Sequence, residues 1–273
     1  MRVLKIGDLL EEYCAIFPTM EKPEKPTISF LMIGCQRCGT TWTDAALRTH
    51  PQIFLPEKKQ SYFFDRNYDM GMDWYLDRFQ GIEPQQISVG EIATGYCLLN
   101  AIPLLAEHFP NTKLLMVMRN PIDRAYSNYQ SRQIEEGWST FEEALESSAD
   151  ICERGQYIDQ IECLLKFYEQ DNVLFLLYDD LNADDQAYIK SIYAFIGVDS
   201  NVKSEMVGQI KNAAMFLNTR KFLHQVGLKS IVTLISKSWI GDKVRRSRKS
   251  KGRAYMPMNL KTKKKLIKHF APY

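Results

Sequence analysis

Near the start of the chain, Arg37, Thr40 and Thr41 bring together side chains that bind phosphate-like anions. An arginine presents a planar fork of N–H donors to a phosphate or sulfate, and each threonine adds a hydroxyl. These residues lie in and just after a glycine-bounded turn at 34–39, which follows an apolar run at 28–33. Their types and spacing therefore predict an anion-binding site.

The elements around this turn are those that create such a site. The apolar run at 28–33 is typical of a strand buried on both faces, as in a parallel sheet. A helix is expected from Thr40 to about His50, because Pro51 disfavours its continuation. A strand, a tight turn and a helix N-terminus bring unpaired backbone N–H groups and the positive end of the helix dipole to one point.

The residues of the turn indicate which anion is bound. A nucleotide triphosphatase loop reads G-x-x-x-x-G-K-[ST], with its lysine on the phosphates. Here Gly34 and Gly39 have that spacing, but Thr40 follows directly, and a cation, Arg37, lies inside the loop instead. The pattern resembles G-x-[QRP]-[KR]-x-G-T-[TS], the 5′-phosphosulfate loop of sulfotransferases that use 3′-phosphoadenosine-5′-phosphosulfate (PAPS). For this loop alone, an ordinary strand–turn–helix remains the alternative.

Two further stretches carry the same resemblance. Arg119 and Ser127 belong to RNPIDRAYS, which is similar to the family's segment that holds the 3′-phosphate of PAPS; within it, Asp123 and Arg124 are expected to be surface charges. Near the chain's end, SKGR resembles the family's loop that closes over that phosphate. The resemblance implies a cofactor site formed by Arg37, Cys38, Gly39, Thr40, Thr41, Trp42, Arg119, Ser127, Tyr157, Ser250, Lys251, Gly252 and Arg253.

The resemblance runs from about Ile28 to Pro272 and is strongest to the branch with the heparan sulfate N- and 3-O-sulfotransferases and their soluble bacterial relatives. HPQI at 50–53, YFFD at 62–65 and LYDDL at 177–181 belong to the same pattern. It implies in-line transfer of a sulfuryl group from PAPS to a hydroxyl or nitrogen, without a metal. Arg37 is expected to stabilise charge on the leaving group.

The acceptor side departs from the family's pattern. Relatives carry a glutamate, the general base, five residues before the final Asp or Asn of their E-x-x-F-F-[DN] stretch, and counting back from Asp65 gives Gln60. Since an amide cannot accept a proton at neutral pH, we expect Gln60 to orient the acceptor and Glu91 to act as the base. A strand-end carboxylate held by hydrogen bonds is the alternative for Glu91, and Glu57 is a weaker candidate base. The predicted acceptor-binding residues are Gln60, Tyr62, Phe63 and Tyr96.

Strand and helix patterns alternate along the chain. Strands are expected at 28–33, 87–92, 113–119 and 173–178, and helices at 98–109, 122–136, 140–148, 157–170 and 179–196. This alternation predicts a single α/β domain, with a central parallel sheet covered by helices on both faces. Residues 1–27 are interpreted as a peripheral helix and linker, and 28–273 as the domain.

Composition excludes several classes of protein. With 45% hydrophobic and 25% charged residues in 273, the chain is typical of a soluble globular protein. No apolar run reaches the ~20 residues of a membrane span, and the N-terminus lacks signal-peptide features, so we expect a cytoplasmic protein. Six scattered cysteines are consistent with reduced thiols, although Cys35-x-x-Cys38 leaves redox or metal chemistry as an alternative.

The net charge of +2 hides a basic segment, since 243–268 contains twelve Lys or Arg residues and no acid. Such a segment can bind nucleic acid or an anionic membrane, but we favour a small anion and expect neither a nucleic-acid nor a membrane partner. The preferred acceptor is a small molecule, such as a natural product, with a polysaccharide as the runner-up. A P-loop nucleotide phosphotransferase and a non-catalytic anion-binding protein are the alternative functions.

Overall fold

The computed structural model describes residues 26–209 and 258–271. Within them, five strands form one sheet in the order β2-β3-β1-β4-β5, and every neighbouring pair is parallel. This confirms the predicted parallel α/β fold. The strands are β1 (Phe30–Gly34), β2 (Ile53–Phe54), β3 (Ser88–Ile92), β4 (Lys113–Met118) and β5 (Val173–Leu177).

Helices flank this sheet, and none of those described is long and apolar enough to cross a membrane. Short 3-10 helices occur at Tyr68–Met70, Asp77–Phe79 and Gln170–Asn172. The α-helices of the described residues are α1 (Thr40–Leu47), α2 (Phe63–Arg66), α3 (Met72–Leu76), α4 (Ile102–His108), α5 (Pro121–Arg132), α6 (Phe141–Ser147), α7 (Asp150–Glu153), α8 (Tyr157–Leu164), α9 (Tyr178–Ala183), α10 (Asp185–Ile196) and α11 (Leu260–Phe270).

Strand order places the ends of β1 and β4 side by side. β1 is buried along its whole length and pairs with β3 on one edge and β4 on the other. The chain builds β1, β2 and β3 on one side and then crosses to β4 on the opposite side of β1. In parallel sheets, ligands bind beyond the carboxyl ends of the strands at such a switch point. The turn 34–39 and Arg119 follow these two strand ends.

Helix α5 begins at a well-formed cap. The side-chain oxygen of Asn120 accepts hydrogen bonds from the N–H groups of Ile122 (3.0 Å) and Asp123 (3.3 Å), and Pro121 occupies the first turn. Both features favour a helix start, because they satisfy or remove donors that have no intrahelical partner. The cap fixes where the helix begins after β4 and therefore where Ser127 lies.

Some element boundaries differ from the predicted ones. The helix expected over 179–196 is divided into α9 and α10, because Asp184 is extended and its side chain caps α10 by accepting from the Ala187 N–H (2.9 Å). The helix expected to reach about Gln170 ends at Leu164. Apart from its last two positions, the predicted segment 1–27 lies outside the described residues, and the basic segment 243–268 is described from 258 onward.

Arg124 corrects a prediction made from charge alone. It was expected on the surface, but it is completely buried, on the face of α5 that packs against α7. Its guanidinium donates to the carbonyl oxygen of Ile151 in α7. The long side chain therefore ties two helices together, which helical periodicity did not reveal.

The first prediction concerns the contact between β1 and β3. A Cβ at Gly90 would lie 2.5 Å from the carbonyl oxygen of Phe30, so a side chain there pushes the two strands apart. We expect Gly90→Ala to lower the free energy of unfolding by about 1–3 kcal/mol, the usual cost of overpacking. Urea denaturation measures this, with Ile87→Ala, which is largely exposed, as the control. Equal urea midpoints for Gly90→Ala and the wild type would contradict the assignment.

Candidate active site

The turn between β1 and α1 contains two residues in left-handed conformations. Arg37 has φ 72° and Gly39 has φ 84°. At Gly39, a Cβ would lie 2.7 Å from Cδ2 of Leu181, so glycine is required for space as well as for conformation. The first N–H groups of α1, which have no intrahelical acceptor, follow directly and give this end of the helix its affinity for anions.

The side chain of Arg37 reaches α5. Its Nε donates to Oγ of Ser127 at 3.1 Å, and Ser127 is buried. This hydrogen bond connects the turn after β1 with the helix after β4. It also brings together two residues that the sequence places ninety positions apart.

Arg119 is held next to Arg37 by three neighbours. Its Nη1 donates to the carbonyl oxygen of Arg37 (3.2 Å), and its guanidinium lies 4.6 Å from the centre of the Tyr178 ring. The hydroxyl of Tyr157 donates to the Arg119 carbonyl oxygen (2.9 Å) and accepts from its N–H (3.3 Å). Tyr157 therefore acts on the backbone of Arg119 and positions it, and Tyr178 is a site residue that sequence analysis missed.

Sequence analysis also missed Lys59. Its Nζ donates to Oγ1 of Thr40 (3.2 Å) and Oγ1 of Thr41 (3.4 Å), at the first turn of α1. Burial is the main reason that the pKa of Lys59 falls to about 8; Asp44 opposes this fall and nearby guanidinium groups, including that of Arg37, add to it. The feature of the sequence that could have identified Lys59 is its position directly before Gln60.

Gln60 and Tyr62 are the predicted acceptor-side residues that reach the surface. The side-chain oxygen of Gln60 accepts from both the N–H (3.3 Å) and the hydroxyl (3.1 Å) of Thr94. Tyr62 is 38% exposed, and the guanidinium of Arg66 lies 4.9 Å from the centre of its ring. An oriented amide and an exposed aromatic face are suited to holding an organic acceptor.

Glu91 and Tyr96, both expected on the acceptor side, form a buried hydrogen-bonded network with Ser61. Both side chains are completely buried, which favours a structural role. The Glu91 carboxylate accepts from the Ser61 N–H and from the Tyr96 hydroxyl (3.0 Å), and that hydroxyl also lies 2.7 Å from Oγ of Ser61. Burial raises the pKa of Glu91 above its usual range. The pair supports the segment that carries Gln60, in agreement with the alternative interpretation of Glu91 as a hydrogen-bonded carboxylate.

Two other predicted contact residues belong to the core. Phe63 is completely buried and its ring stacks with those of Tyr75 (4.9 Å) and Trp74 (6.1 Å). Trp42 is buried too, and its indole N–H donates to the carbonyl oxygen of Gln209 (2.8 Å). Both side chains pack in the core and stabilise the fold. The predicted cofactor residues Ser250, Lys251, Gly252 and Arg253 lie outside the described residues.

The cysteines of the turn are free thiols packed beneath it. Cys35, Cys38 and Cys97 are buried, and Sγ of Cys38 lies 3.9 Å from the Tyr157 hydroxyl. Hydrogen bonds with Cys38 and Cys97, together with burial, raise the pKa of Cys35. Over the described ranges 26–209 and 258–271, no three or more His, Cys, Asp or Glu side chains are grouped to hold a metal.

Comparison with known proteins decides the family. A model of the sulfotransferase domain matches residues 28–266. The chain belongs to the sulfotransferase family. Heparan sulfate glucosamine 3-O-sulfotransferase 3A1 from Homo sapiens is 25% identical over 189 residues, which cover 66% of this chain and 46% of that protein. This agrees with the branch that the sequence motifs indicated.

Two further matches support the family and the fold. The membrane-associated sulfotransferase kil1 from Dictyostelium discoideum is 34% identical over 105 residues, or 37% of this chain and 22% of kil1. These two curated relatives are thus matched over less than half of their length. The crystal structure of a sulfotransferase from Alicyclobacillus acidocaldarius superposes with a TM-score of 0.61 at 22% identity, covering 80% of this chain and 99% of that one.

The buried carboxyl of Glu91 generates a prediction about pH. Because burial raises its pKa, the folded protein keeps a proton on Glu91 at pH values where the unfolded chain has lost it. Stability should therefore fall as pH rises from about 4.3, the ordinary glutamate pKa, through the higher pKa of the folded state. Glu91→Gln removes this part of the decline, as measured by urea unfolding at a series of pH values.

Glu57→Gln is the matched control, since Glu57 is an exposed carboxylate in the neighbouring segment. This variant should retain the pH dependence of the wild type. If Glu91→Gln retained it as well, Glu91 would not be the buried group that titrates.

Proposed function

We propose that the protein transfers a sulfuryl group from PAPS to a hydroxyl or nitrogen of a small-molecule acceptor. The observation that carries this proposal is the hydrogen bond between Arg37 and Ser127 beside Arg119. In the family resemblance, the turn holds the phosphosulfate of PAPS, while Arg119 and Ser127 hold its 3′-phosphate. Direct contact between these two parts supports one continuous site for a donor that is phosphorylated at both ends.

The donors present are suited to this ligand. Two guanidinium groups, a buried hydroxyl and the N-terminus of α1 meet where β1 and β4 end. Guanidinium groups bind phosphate through paired charge-assisted hydrogen bonds, and a helix N-terminus binds a second anionic group. On this proposal, the turn with Thr40 and Thr41 receives the phosphosulfate, and Arg119 with Ser127 receives the 3′-phosphate.

Catalysis in this proposal is a matter of position and charge. PAPS supplies an activated sulfuryl group, so the chain needs no covalent nucleophile. Its residues align the acceptor with the sulfur and stabilise the negative charge that develops on the leaving phosphate oxygen. Arg37 and Arg119 remain protonated at any physiological pH, so they can stabilise charge but are poor proton donors.

The proposal about the acceptor rests on the side chain of Gln60. Its amide, oriented by Thr94, can hydrogen-bond a neutral polar group but cannot remove a proton. With Glu91 buried, Glu57 is the remaining carboxylate among the candidate bases, and solvent is the other route for the proton. An acceptor whose nitrogen or hydroxyl loses its proton late in the reaction suits this arrangement, and we propose a natural-product alcohol, amine or amide.

A polysaccharide acceptor is the second candidate, because the family matches include a heparan sulfate sulfotransferase. Radiolabelled PAPS distinguishes the two. Label should appear in small alcohols or amines from a mixed panel and remain absent from heparan-type polysaccharide. Labelling of the polysaccharide alone would reverse the order of the two acceptor classes.

The donor itself is tested by calorimetry with adenosine 3′,5′-bisphosphate and with magnesium-ATP. A 3′-phosphate contacted by charged groups adds roughly 1.5–3 kcal/mol per hydrogen bond, so the bisphosphate should bind at least ~10-fold more tightly. ATP has no phosphate at this position. Equal or tighter binding of magnesium-ATP would favour the nucleotide phosphotransferase over the sulfotransferase.

Replacing Arg119 distinguishes a role in binding the donor from a role in the transfer step. Arg119→Ala should weaken binding of the bisphosphate by about 10- to 100-fold, because a charge-assisted contact is lost. Turnover at saturating PAPS should change little, since the 3′-phosphate is bound equally in the ground and transition states. Lys190→Ala removes an exposed positive charge from α10 and is the control. A loss of turnover with unchanged affinity would place Arg119 at the transferring group instead.

A further inference from the structure

Two cations lie at the turn, and their side chains have different hydrogen-bond partners. The guanidinium of Arg37 reaches across to Ser127 on α5, which the proposed function assigns to the 3′-phosphate. The ammonium of Lys59 lies on the hydroxyls of Thr40 and Thr41, in the first turn of α1. Of the two, Lys59 is therefore the cation held at the end of the site that receives the phosphosulfate.

We propose that Lys59 is the catalytic cation that contacts the transferring sulfuryl group. This inference rests on the proposed function and adds to it a residue that the family resemblance does not assign. The resemblance gave this role to Arg37. The contacts of Arg37 and Lys59 indicate a division between them, with Arg37 serving the 3′-phosphate side and Lys59 the sulfuryl side.

The position of Lys59 explains how the loop functions without its own lysine. In a G-x-x-x-x-G-K-[ST] loop, the lysine directly follows the second glycine and the hydroxyl residue comes next. Here Thr40 occupies the lysine position, and Lys59 brings an ammonium to the Thr40 and Thr41 hydroxyls from the segment after β2. A cation is thus restored at the start of α1 from a distant part of the chain.

The surroundings of Lys59 favour an anionic ligand. The two threonine hydroxyls accept two of the three N–H donors of its ammonium, and both hydroxyls are uncharged. Lys59 is half-buried, and the ion pairs formed among residues 26–209 and 258–271 do not include it. A partly desolvated ammonium beside a helix N-terminus is unfavourable until an anion binds, which agrees with its lowered pKa of about 8.

A cation at this position has a role in the transfer of the sulfuryl group. The bond from the acceptor atom to sulfur forms while the bond from sulfur to the phosphate oxygen breaks, and its electron pair stays on that oxygen. In the transition state, the sulfuryl oxygens and the leaving phosphate oxygen share the negative charge, and Lys59 stabilises the part on the sulfuryl oxygens. The proton of the acceptor leaves to a base or to solvent, so Lys59 can remain an ammonium throughout.

A pair of nucleotides that differ by the sulfuryl group tests this proposal by binding alone. Calorimetry compares PAPS with adenosine 3′,5′-bisphosphate on the wild type, on Lys59→Met and on Lys58→Met, whose residue is the exposed neighbour. We expect Lys59→Met to weaken binding of PAPS by about 10-fold, the equivalent of one charge-assisted hydrogen bond, and to change binding of the bisphosphate less than ~3-fold. Lys58→Met should bind both nucleotides as the wild type does.

The rate of PAPS hydrolysis by water supplies a second readout that needs no identified acceptor. At saturating PAPS, Lys59→Met should lower this rate by about 10²–10³-fold, as expected for the loss of one group that stabilises developing charge. Lys59→Arg retains the charge and should recover part of the rate. Thermal unfolding of each variant verifies that it is folded.

The outcomes distinguish failure of this inference from failure of the proposed function. If the wild type binds neither nucleotide, the proposed function is wrong. If it binds both and Lys59→Met weakens both equally, Lys59 holds a phosphate and the assignment to the sulfuryl group is overturned. An unchanged hydrolysis rate in Lys59→Met overturns it as well.

Discussion

The cations of this site donate hydrogen bonds to neutral acceptors, and the proposed function depends on these contacts. The hydroxyl of Ser127 accepts from Arg37, the carbonyl oxygen of Arg37 accepts from Arg119, and threonine hydroxyls accept from Lys59. Hydroxyls and carbonyls orient a positive group without cancelling its charge. These contacts therefore do not neutralise the cations, and the dipole of α1 adds to their positive field.

The sheet beneath the site holds these positive charges close together despite their mutual repulsion. β1 is buried along its length and fixed by pairing on both edges, and Gly90 allows its neighbour β3 to approach closely. The network of Glu91, Tyr96 and Ser61 extends this rigid base to the segment that carries Lys59 and Gln60. A buried carboxylate of β3 thus supports the segment that carries Lys59 and Gln60.

The sequence was informative wherever function depended on a local pattern. An apolar run, two glycines and an arginine predicted the anion-binding turn, and the strand before Arg119 placed a second cation at the same edge of the sheet. Helical spacing then allowed Ser127 to be assigned to that edge, and its contact with Arg37 agrees with the assignment. The strand ends and helices behind these inferences are present in the structure, because predicting each of them needed only a local pattern.

Contacts between distant segments could not be predicted from the sequence. Lys59 approaches Thr40 because the segment after β2 folds back over α1, and Arg124 is buried because α7 packs on it. The exposed fraction of Phe63, Glu91 and Tyr96 likewise depends on tertiary packing, and all three were expected to face the acceptor. The type of a hydrophobic or charged residue does not reveal whether it lines a pocket or lies beneath it.

The central claim is that one end of the site, formed by Arg37, Ser127 and Arg119, recognises a 3′-phosphate. The most direct measurement compares the dissociation constants of adenosine 3′,5′-bisphosphate and adenosine 5′-monophosphate, which differ by that group alone. Because hydrogen bonds to a charged phosphate contribute roughly 1.5–3 kcal/mol each, the account predicts that the bisphosphate binds at least ~10- to 100-fold more tightly. Equal affinity for the two nucleotides would contradict it.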